Sequence, residues 1–158
     1  MTRPTRDQML MRQAQIVAER STCARAHVGV VIAHDGRVVS QGYNGAPAGM
    51  AHCDHTCPCT RGFEDDPGPG EIPLHTDGCP MKPCTRAVHG EANAIAFAAR
   101  HGVATNGATL FTTLAPCPAC AQLIINAGIV RVVFAKPYRF DAGINLLMDA
   151  GVPTEFAG

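Results

Sequence analysis

Apolar residues recur at helical spacing in residues 7–20, which read DQMLMRQAQIVAER. They are Met9, Ala14, Ile16 and Val17, and they fall near one face of a helix. The segment that follows, HVGVVIAHDGRVVSQGYNG, has the pattern of two strands divided by an Asp-Gly pair. Because Asp-Gly is the strongest short signal for a hairpin, we predict an opening helix and then two strands joined at Asp35-Gly36.

Helical and strand patterns alternate through the second half of the chain. In order they are helix 89–101, strand 108–113, helix 117–127, strand 130–135, helix 141–150 and a weak strand near 152–155. Such alternation implies a mainly parallel sheet with helices packed on its faces.

The two halves are separated by a long segment without periodicity. Residues 50–86 are dense in Pro, Gly, Cys and His, and they are too long for an ordinary connection. They also contain too little apolar surface to become ordered by burial alone. We therefore expect bound metal to hold this segment in place.

Length and composition indicate a single globular domain over residues 1–158. Hydrophobic residues make up 46% of the chain and charged residues 16%, which argues against disorder. No apolar run approaches the roughly 20 residues that a membrane span needs. The start, MTRPTRDQMLMRQAQ, has no apolar core of a secretory signal, so we expect a cytoplasmic protein that binds no membrane.

The charge balance and the cysteines narrow the chemistry. Lys plus Arg and Asp plus Glu are equal at 13 each, so the chain lacks the basic character of nucleic-acid-binding proteins, and a small substrate is favoured. Eight cysteines accompany seven histidines. Without a secretory signal, metal binding explains them better than disulfides.

Two short motifs each open a predicted helix and together predict a metal centre. Cys117 and Cys120 face the same way from the first turn of one helix, where the helix dipole lowers the pKa of a thiol. His89 opens another helix, and the three side chains meet if the two helices lie side by side. Zinc accepts Cys and His, and a catalytic zinc keeps one position open for water.

Glu91, two residues after His89, gives this centre an acid-base group. Its carboxylate would reach the water in the open position and act as a proton shuttle. Separately, C-x-x-C is also typical of thioredoxin-like redox pairs and of structural zinc sites. The combination of His-x-Glu with Pro-Cys-x-x-Cys is more specific than either half and favours a catalytic zinc bound by His89, Cys117 and Cys120.

This combination resembles the signature of the zinc-dependent cytidine deaminase superfamily. Within it, the chain is most similar to the deoxycytidylate deaminases from about residue 5 to residue 152. The stretches that carry the resemblance are RSTCARAHVGVVI, GYNGAPAG followed by HC, VHGEANAI, and ATLFTTLAPCPACAQLIINAGIVRVVF.

The resemblance implies a fold, a reaction and partners. The fold would be a three-layer α/β/α sandwich whose mixed five-stranded sheet is flanked by helices. The reaction would be zinc-dependent hydrolysis of dCMP, with or without a 5-substituent, to the deoxyuridylate and ammonia, which supplies thymidylate synthesis. The family commonly forms hexamers and is often controlled by dCTP and dTTP.

The resemblance also implies roles for particular residues, with Glu91 as the catalytic group. The substrate-binding residues would be Asn44, Arg25, Gly90, Phe97, Arg100 and Tyr138. Three of these residues also have a simpler interpretation: Asn44 as a turn residue, Arg25 as a surface cation, and Phe97 as part of the core. Gly90 departs from the family, which usually has His-Ala-Glu, and this leaves fine substrate preference open.

A second, structural zinc is implied within an insertion at about residues 50–86. Cys23 and Cys53 match the family's structural ligands, and Cys84 is placed to join them. Further candidates, which could complete this site or build another, are Cys57, Cys59, His75 and Cys79. At least two zinc ions per chain are expected, one of them catalytic.

Three other functions share some of these features. A non-enzymatic zinc module explains the cysteines but gives Glu91 no task. A deaminase of bases in nucleic acid shares the motifs but usually needs a basic groove, which the neutral charge disfavours. A deaminase of free cytidine, guanine or another cytosine nucleotide differs only in its contacts to phosphate and sugar.

Overall fold

The computed structural model describes residues 2–23, 26–53 and 86–157. In these ranges the helices are α1 (Arg6–Ala18), α2 (Gly90–Arg100), α3 (Pro118–Asn126) and α4 (Ala142–Asp149). The strands are β1 (Gly29–His34), β2 (Arg37–Tyr43), β3 (Thr109–Thr112), β4 (Arg131–Phe134) and β5 (Thr154–Phe156). Each element predicted from the sequence is present, including the weak last strand.

Local sequence signals fix where the first elements begin and turn. A capping box starts α1, because the Thr5 hydroxyl accepts from the Gln8 amide at 3.1 Å and the Gln8 side chain accepts from the Thr5 amide at 3.0 Å. The β1–β2 hairpin turns at Asp35 and Gly36, with φ values of 51° and 74°. Positive φ at both positions is what a type I′ turn requires, so the Asp-Gly prediction is confirmed.

The sheet has the order β2-β1-β3-β4-β5. The strand β1 pairs antiparallel with β2 and with β3, whereas β3, β4 and β5 are mutually parallel. The sheet is therefore mixed, as the family resemblance implied. The parallel pairing expected from alternation is found for β3, β4 and β5, whereas β1 of the hairpin lies between β2 and β3 and pairs antiparallel with both.

Helices cover both faces of the sheet and make the three layers of an α/β/α sandwich. On one face, α1 packs through Leu10 and Ala14 against Val31 and Phe111. On the other face, residues from α2, α3 and α4 bury the opposite side of the same strands; this core includes Ala94, Ile124, Leu147, Val30, Leu110 and Val132. The alternation of side chains along each strand explains why neighbouring residues serve opposite layers.

The ends of four strands lie together at one end of the sheet. The strands β2, β3 and β4 end there and β1 begins there, as the pairs Gly29↔Tyr43, Val30↔Thr112 and Thr112↔Phe134 show. The chain leaves β3 at this edge and soon enters α3. No helix in the three described ranges combines the length and the apolar run that a membrane crossing requires.

Candidate metal centre

The two predicted motifs open neighbouring helices. His89 is the N-cap of α2 with extended backbone angles (φ −70°, ψ 151°), but its side chain makes no capping hydrogen bond. Cys117 is the N-cap of α3 with φ −73° and ψ 167°, and its side chain makes none either. Pro118 occupies the first turn of α3, where its missing N–H has no helical partner to lose. The imidazole and the thiol are therefore not engaged in capping their helices.

The three predicted ligands converge. Nδ1 of His89 lies 3.4 Å from Sγ of Cys117 and 3.4 Å from Sγ of Cys120. All three ligand atoms lie within 4.8 Å of one another. Tetrahedral zinc, with Zn–S near 2.3 Å and Zn–N near 2.0–2.1 Å, separates a sulfur from a nitrogen by about 3.5 Å. The residues therefore fit zinc, and Nδ1 is the histidine atom directed at it.

The burial of the three ligands is graded from one side of the centre to the other. Cys120 is buried, Cys117 is half-buried and His89 is exposed. A centre of this kind can be reached from solvent on the histidine side while its other side is closed by protein. Three protein ligands with access from one side are typical of catalytic zinc, since a structural zinc is closed by four.

The pKa values of the two thiols are shifted in opposite directions. Hydrogen bonding from Cys120 and then from His89 lowers the pKa of Cys117 to about 4. The hydrogen bond to Cys117, followed by burial, raises the pKa of Cys120 above its usual range. The lowered pKa favours the thiolate of Cys117, which is the form that binds zinc, and zinc binding releases the protons that its ligands carry.

Glu91 is the only buried carboxylate in the described ranges, with 4% of its surface exposed. It is the second residue of α2, and its side chain interacts with Cys120. Burial raises the pKa of Glu91 from 4.5 to about 6, against the smaller opposing effects of its own backbone amide and of His89. A carboxyl group with a pKa near 6 can both accept and release a proton close to neutral pH.

Close backbone contacts hold the first turn of α2 on the sheet. A Cβ at Gly42 of β2 would lie 2.5 Å from the Gly90 carbonyl oxygen and 2.5 Å from the Ala94 amide nitrogen. The Ser40 hydroxyl donates to the Ala94 carbonyl at 2.7 Å. Gly42 was missed in the sequence, although a lone glycine within a strand pattern is a known sign of close backbone approach.

Gly90, predicted to contact substrate, is buried at the base of the centre. A Cβ on it would lie 3.1 Å from Cγ2 of Val30 and 3.4 Å from the Val28 carbonyl oxygen. An alanine methyl there would require those neighbours to give by a few tenths of an ångström. Glycine at this position therefore lets α2 sit directly on β1.

Asn44 uses its side chain to organise the turn beside the centre. Its Oδ1 accepts from the Ser21 hydroxyl at 2.6 Å and from the Val28 amide at 2.8 Å. Its Nδ2 donates to the Ala26 carbonyl at 2.7 Å. The interpretation of Asn44 as a turn residue thus has structural support, and among the described residues one Nδ2 hydrogen has no acceptor.

The remaining predicted substrate residues lie on α2 and in the β4–α4 loop. Phe97 is 51% exposed and its ring packs on His101 at 4.1 Å, two helical turns beyond the metal ligands. Arg100 is exposed at the end of α2. Tyr138 is half-buried in the β4–α4 loop, which is tied to the ligand loop by the hydrogen bond from the Ala115 amide to the Lys136 carbonyl at 2.8 Å. Tyr138 therefore lies in a loop that neighbours the ligand loop, whereas Phe97 and Arg100 lie at the far end of α2 from His89.

The predicted structural zinc falls mostly in residues that the structure does not describe. Cys23 and Cys53 are both buried, at 7% and 4% exposure. The remaining candidates, together with the proposed phosphate ligand, lie outside the described residues; they are Cys57, Cys59, His75, Cys79, Cys84 and Arg25.

Three convergent ligands with a buried carboxylate beside them, at the open edge of an α/β/α sandwich, define a zinc-dependent enzyme that activates water. The sequence profile for the cytidine and deoxycytidylate deaminase zinc-binding region matches residues 4–136. The chain belongs to this family of deaminases, and the resemblance seen in the sequence is confirmed.

Individual relatives agree with the family. The deoxycytidylate deaminase of Mycobacterium phage D29 is 42% identical over 136 residues, which cover 86% of this chain and 98% of that protein. The deoxycytidylate deaminase of Enterobacteria phage T2 is 34% identical over 144 residues, 79% of this chain and 77% of its own. The crystal structure of dCMP deaminase from cyanophage S-TIM5 in complex with dCMP and dUMP has a TM-score of 0.75 and 28% identity, with 99% of each chain covered.

Proposed function

We propose that this protein hydrolyses dCMP to dUMP and ammonia. The observation that carries the proposal is the convergence of His89, Cys117 and Cys120 beside the buried carboxylate of Glu91. The relatives named deoxycytidylate deaminase support dCMP as the substrate. A redox role for the cysteine pair is disfavoured, because both thiols approach the same histidine nitrogen.

The reaction exchanges the C4 amine of cytosine for an oxygen. A C–O bond forms at C4 as water attacks, the C4–N bond then breaks, and the amine departs as ammonia. Zinc held by His89, Cys117 and Cys120 supplies the Lewis acidity that makes water a nucleophile near neutral pH. The amine is a poor leaving group, so protons must be delivered to ring N3 and to the departing nitrogen.

Glu91 moves those protons. Its carboxylate takes a proton from the attacking water and passes it to N3. It then takes the remaining proton from the new hydroxyl group on C4 and gives it to the amine, which leaves as ammonia. Burial keeps the carboxyl group away from competing bulk water and raises its pKa to about 6. Since one group must act both as base and as acid, a pKa near the working pH serves both steps.

Contacts to the rest of the nucleotide are proposed from the family resemblance. Asn44 would bind the sugar or base edge through its remaining N–H, and the Gly90 amide would meet the pyrimidine O2. Arg25 would bind the phosphate, and Tyr138 would close the pocket from the β4–α4 loop. Phe97 and Arg100, exposed on α2, would serve the pocket only if a neighbouring subunit places it against them.

We also propose a structural zinc that involves Cys23 and Cys53. Their burial supports this, because two thiols withdrawn from solvent would anchor the insertion at about residues 50–86. Cys84 is the first candidate to complete the site, with Cys57, Cys59, His75 and Cys79 as the others. At least two zinc ions per chain would result.

The assembly and control of the enzyme follow from the same proposal. A homo-oligomer, with the hexamer as the expected state, is supported by Phe97 of α2 and Leu123 of α3, which are exposed at 51% and 43%. The effectors would be dCTP and dTTP. The cytoplasm is the proposed compartment, because the substrate is a nucleotide of cell metabolism.

Ammonia release tests the proposed function. The zinc-loaded protein would be given dCMP, 5-methyl-dCMP, 5-hydroxymethyl-dCMP, CMP, deoxycytidine, dCTP and a single-stranded oligonucleotide, each with and without added dCTP. We expect dCMP to be turned over far faster than deoxycytidine. Equal rates on these two would contradict a phosphate site, preferred attack on the oligonucleotide would favour the nucleic-acid alternative, and no ammonia from any substrate would contradict the enzyme.

A further inference from the structure

The helix α4 touches the backbone of a metal ligand at a single glycine. Gly143 is the second residue of α4 and is buried. A Cβ on Gly143 would lie 2.0 Å from the carbonyl oxygen of Pro116, and 2.9 Å from the carbonyl carbons of Pro116 and Cys117. All three neighbours are backbone atoms, so no side chain can rotate out of the way. Here α4 therefore packs directly on the peptide that leads into Cys117.

Both α4 and Pro116 are held in place by buried neighbours. On the side of α4, Leu147 is fully buried in the core shared with Ile124 and Val132. The Pro116 side is fixed as well, since Pro116 is fully buried and the Ala115 amide donates to the Lys136 carbonyl at 2.8 Å. A displacement forced at Gly143 would consequently be passed along the chain to Cys117 at the start of α3.

The position of the Cys117 thiol depends on the backbone at the start of α3. The Cys117 carbonyl accepts the first helical hydrogen bond of α3, from the Ala121 amide at 2.9 Å. The Cys117 thiol lies 3.4 Å from Nδ1 of His89. Metal sites tolerate deviations of only about 0.2 Å in their ligand distances. A shift of Pro116–Cys117 by several tenths of an ångström would therefore take Sγ out of bonding range or strain the site.

We propose that Gly143 is a positioning residue for the metal centre: the absence of a side chain lets α4 brace the Pro116–Cys117 peptide and so fixes the Cys117 thiolate. The inference rests on the proposed metal site. It assigns to α4, which contributes no ligand, the task of holding one ligand in register with His89.

The fold contains matched controls for the effect of overall stability. Gly29 is packed just as tightly, since a Cβ there would lie 2.1 Å from the Ala14 carbonyl oxygen, but it meets α1 on the opposite face of the sheet. Leu147 of α4 and Leu10 of α1 form a second pair, each buried in the core of its own face. Gly143→Ala and Gly29→Ala insert a methyl group, and Leu147→Ala and Leu10→Ala remove packing.

The test measures metal affinity rather than activity. Each variant would be titrated with zinc against a chelator, and its cobalt-substituted form recorded as a difference spectrum from Cys117→Ser, which isolates the centre from other metals. We expect Gly143→Ala to weaken zinc binding roughly ten- to a hundred-fold and to alter the cobalt bands, the range typical of losing support around a ligand. Gly29→Ala should weaken zinc binding much less than Gly143→Ala, because its methyl group would meet the backbone of α1 and not the Pro116–Cys117 peptide.

The leucine pair keeps the proposal testable if Gly143→Ala does not fold. Leu147→Ala loosens α4 behind Pro116, so it should weaken zinc several-fold more than Leu10→Ala. Equal zinc affinities within each pair would overturn the role of Gly143. If the parent protein itself binds no metal that depends on Cys117, the proposed centre fails instead, and the two failures are thereby distinguished.

Discussion

Nδ1 of His89 and Sγ of Cys117 lie 3.4 Å apart, although the two residues are separated by 28 positions in the chain. Each stands at the N-cap of its own helix, and each makes no capping hydrogen bond with its side chain. The helix starts therefore aim two metal-binding groups at one point while the backbone amides of both helices face the same region. This arrangement favours negative charge there, which suits thiolate ligands.

Glu91→Gln should leave zinc bound and remove most of the activity. Glutamine keeps the shape of the side chain but cannot take a proton from water, so we expect turnover of dCMP to fall by about a thousandfold, within the range typical of general acid-base groups. Zinc content and ammonia release would be measured on the same preparation. Glu19→Gln, at the exposed end of α1, is the control. Retention of a tenth or more of the activity would rule out the proton shuttle.

Cys117→Ser should lose the zinc of the centre together with the activity. Serine is a much weaker zinc ligand than thiolate, and two remaining ligands do not hold a catalytic zinc. Elemental analysis should show close to one zinc fewer per chain than in the parent. Unchanged zinc and unchanged turnover would contradict the assignment of the ligands.

Cys53→Ser should lower the Tm and the zinc content together. Metal-binding free energy at a structural site contributes directly to folding, so losing the metal loosens the fold. Calorimetry and metal analysis of fully metal-loaded protein would check both. Only one zinc per chain in the loaded parent would defeat the structural site and leave the catalytic centre intact.

Stability of the metal-free protein should depend on the titration of Glu91. Its pKa is about 6 in the fold, against 4.5 for an unperturbed glutamate, so the folded state holds this proton more tightly. The stabilising contribution is therefore complete below about pH 4.5 and is lost as pH rises through 6. A shift of this size corresponds to about 2 kcal/mol.

Comparison with Glu91→Gln isolates that contribution. After chelation of the metal, the free energy of unfolding of the glutamine variant should increase relative to that of the parent by about 2 kcal/mol between pH 4 and pH 7. Urea denaturation across this range measures the difference, with Glu19→Gln as the matched substitution. A difference that stays constant with pH would show that burial does not shift this carboxyl group.

Asn44→Ala should destabilise the fold whether or not the residue touches substrate. It leaves the Val28 amide without its partner and the Ala26 carbonyl with only the long Ser21 contact at 3.5 Å, which costs on the order of 2–3 kcal/mol in a buried turn. Denaturant unfolding would measure the loss against Asn126→Ala, an exposed position on α3. A loss no larger than that of the control would contradict the network, and a raised KM for dCMP in the folded fraction would support the predicted substrate contact.

Features that depend on local chemistry could be predicted from the residues themselves. Asp35-Gly36 predicted the hairpin because few other residue pairs adopt positive φ at both positions. The ligand residues could be found because each is tied to a helix start, and a C-x-x-C pair within one turn must face one way. The proposal that Glu91 is the acid-base group came from its spacing to His89.

How these local elements meet depends on contacts between distant parts of the chain. Alternation predicted a mainly parallel sheet, but pairing between distant strands placed β1 between β2 and β3. The turn GYNG in the sequence did not reveal that the Asn44 side chain is largely engaged within the protein, because its partners Ser21 and Ala26 come from another part of the chain. The same holds for Gly42 and Gly143, since a glycine's lack of a side chain acquires meaning only from the backbone that packs against it. Local propensities act over a few residues, whereas the burial of both sheet faces acts on the whole chain, and it is this burial that brings the metal ligands together.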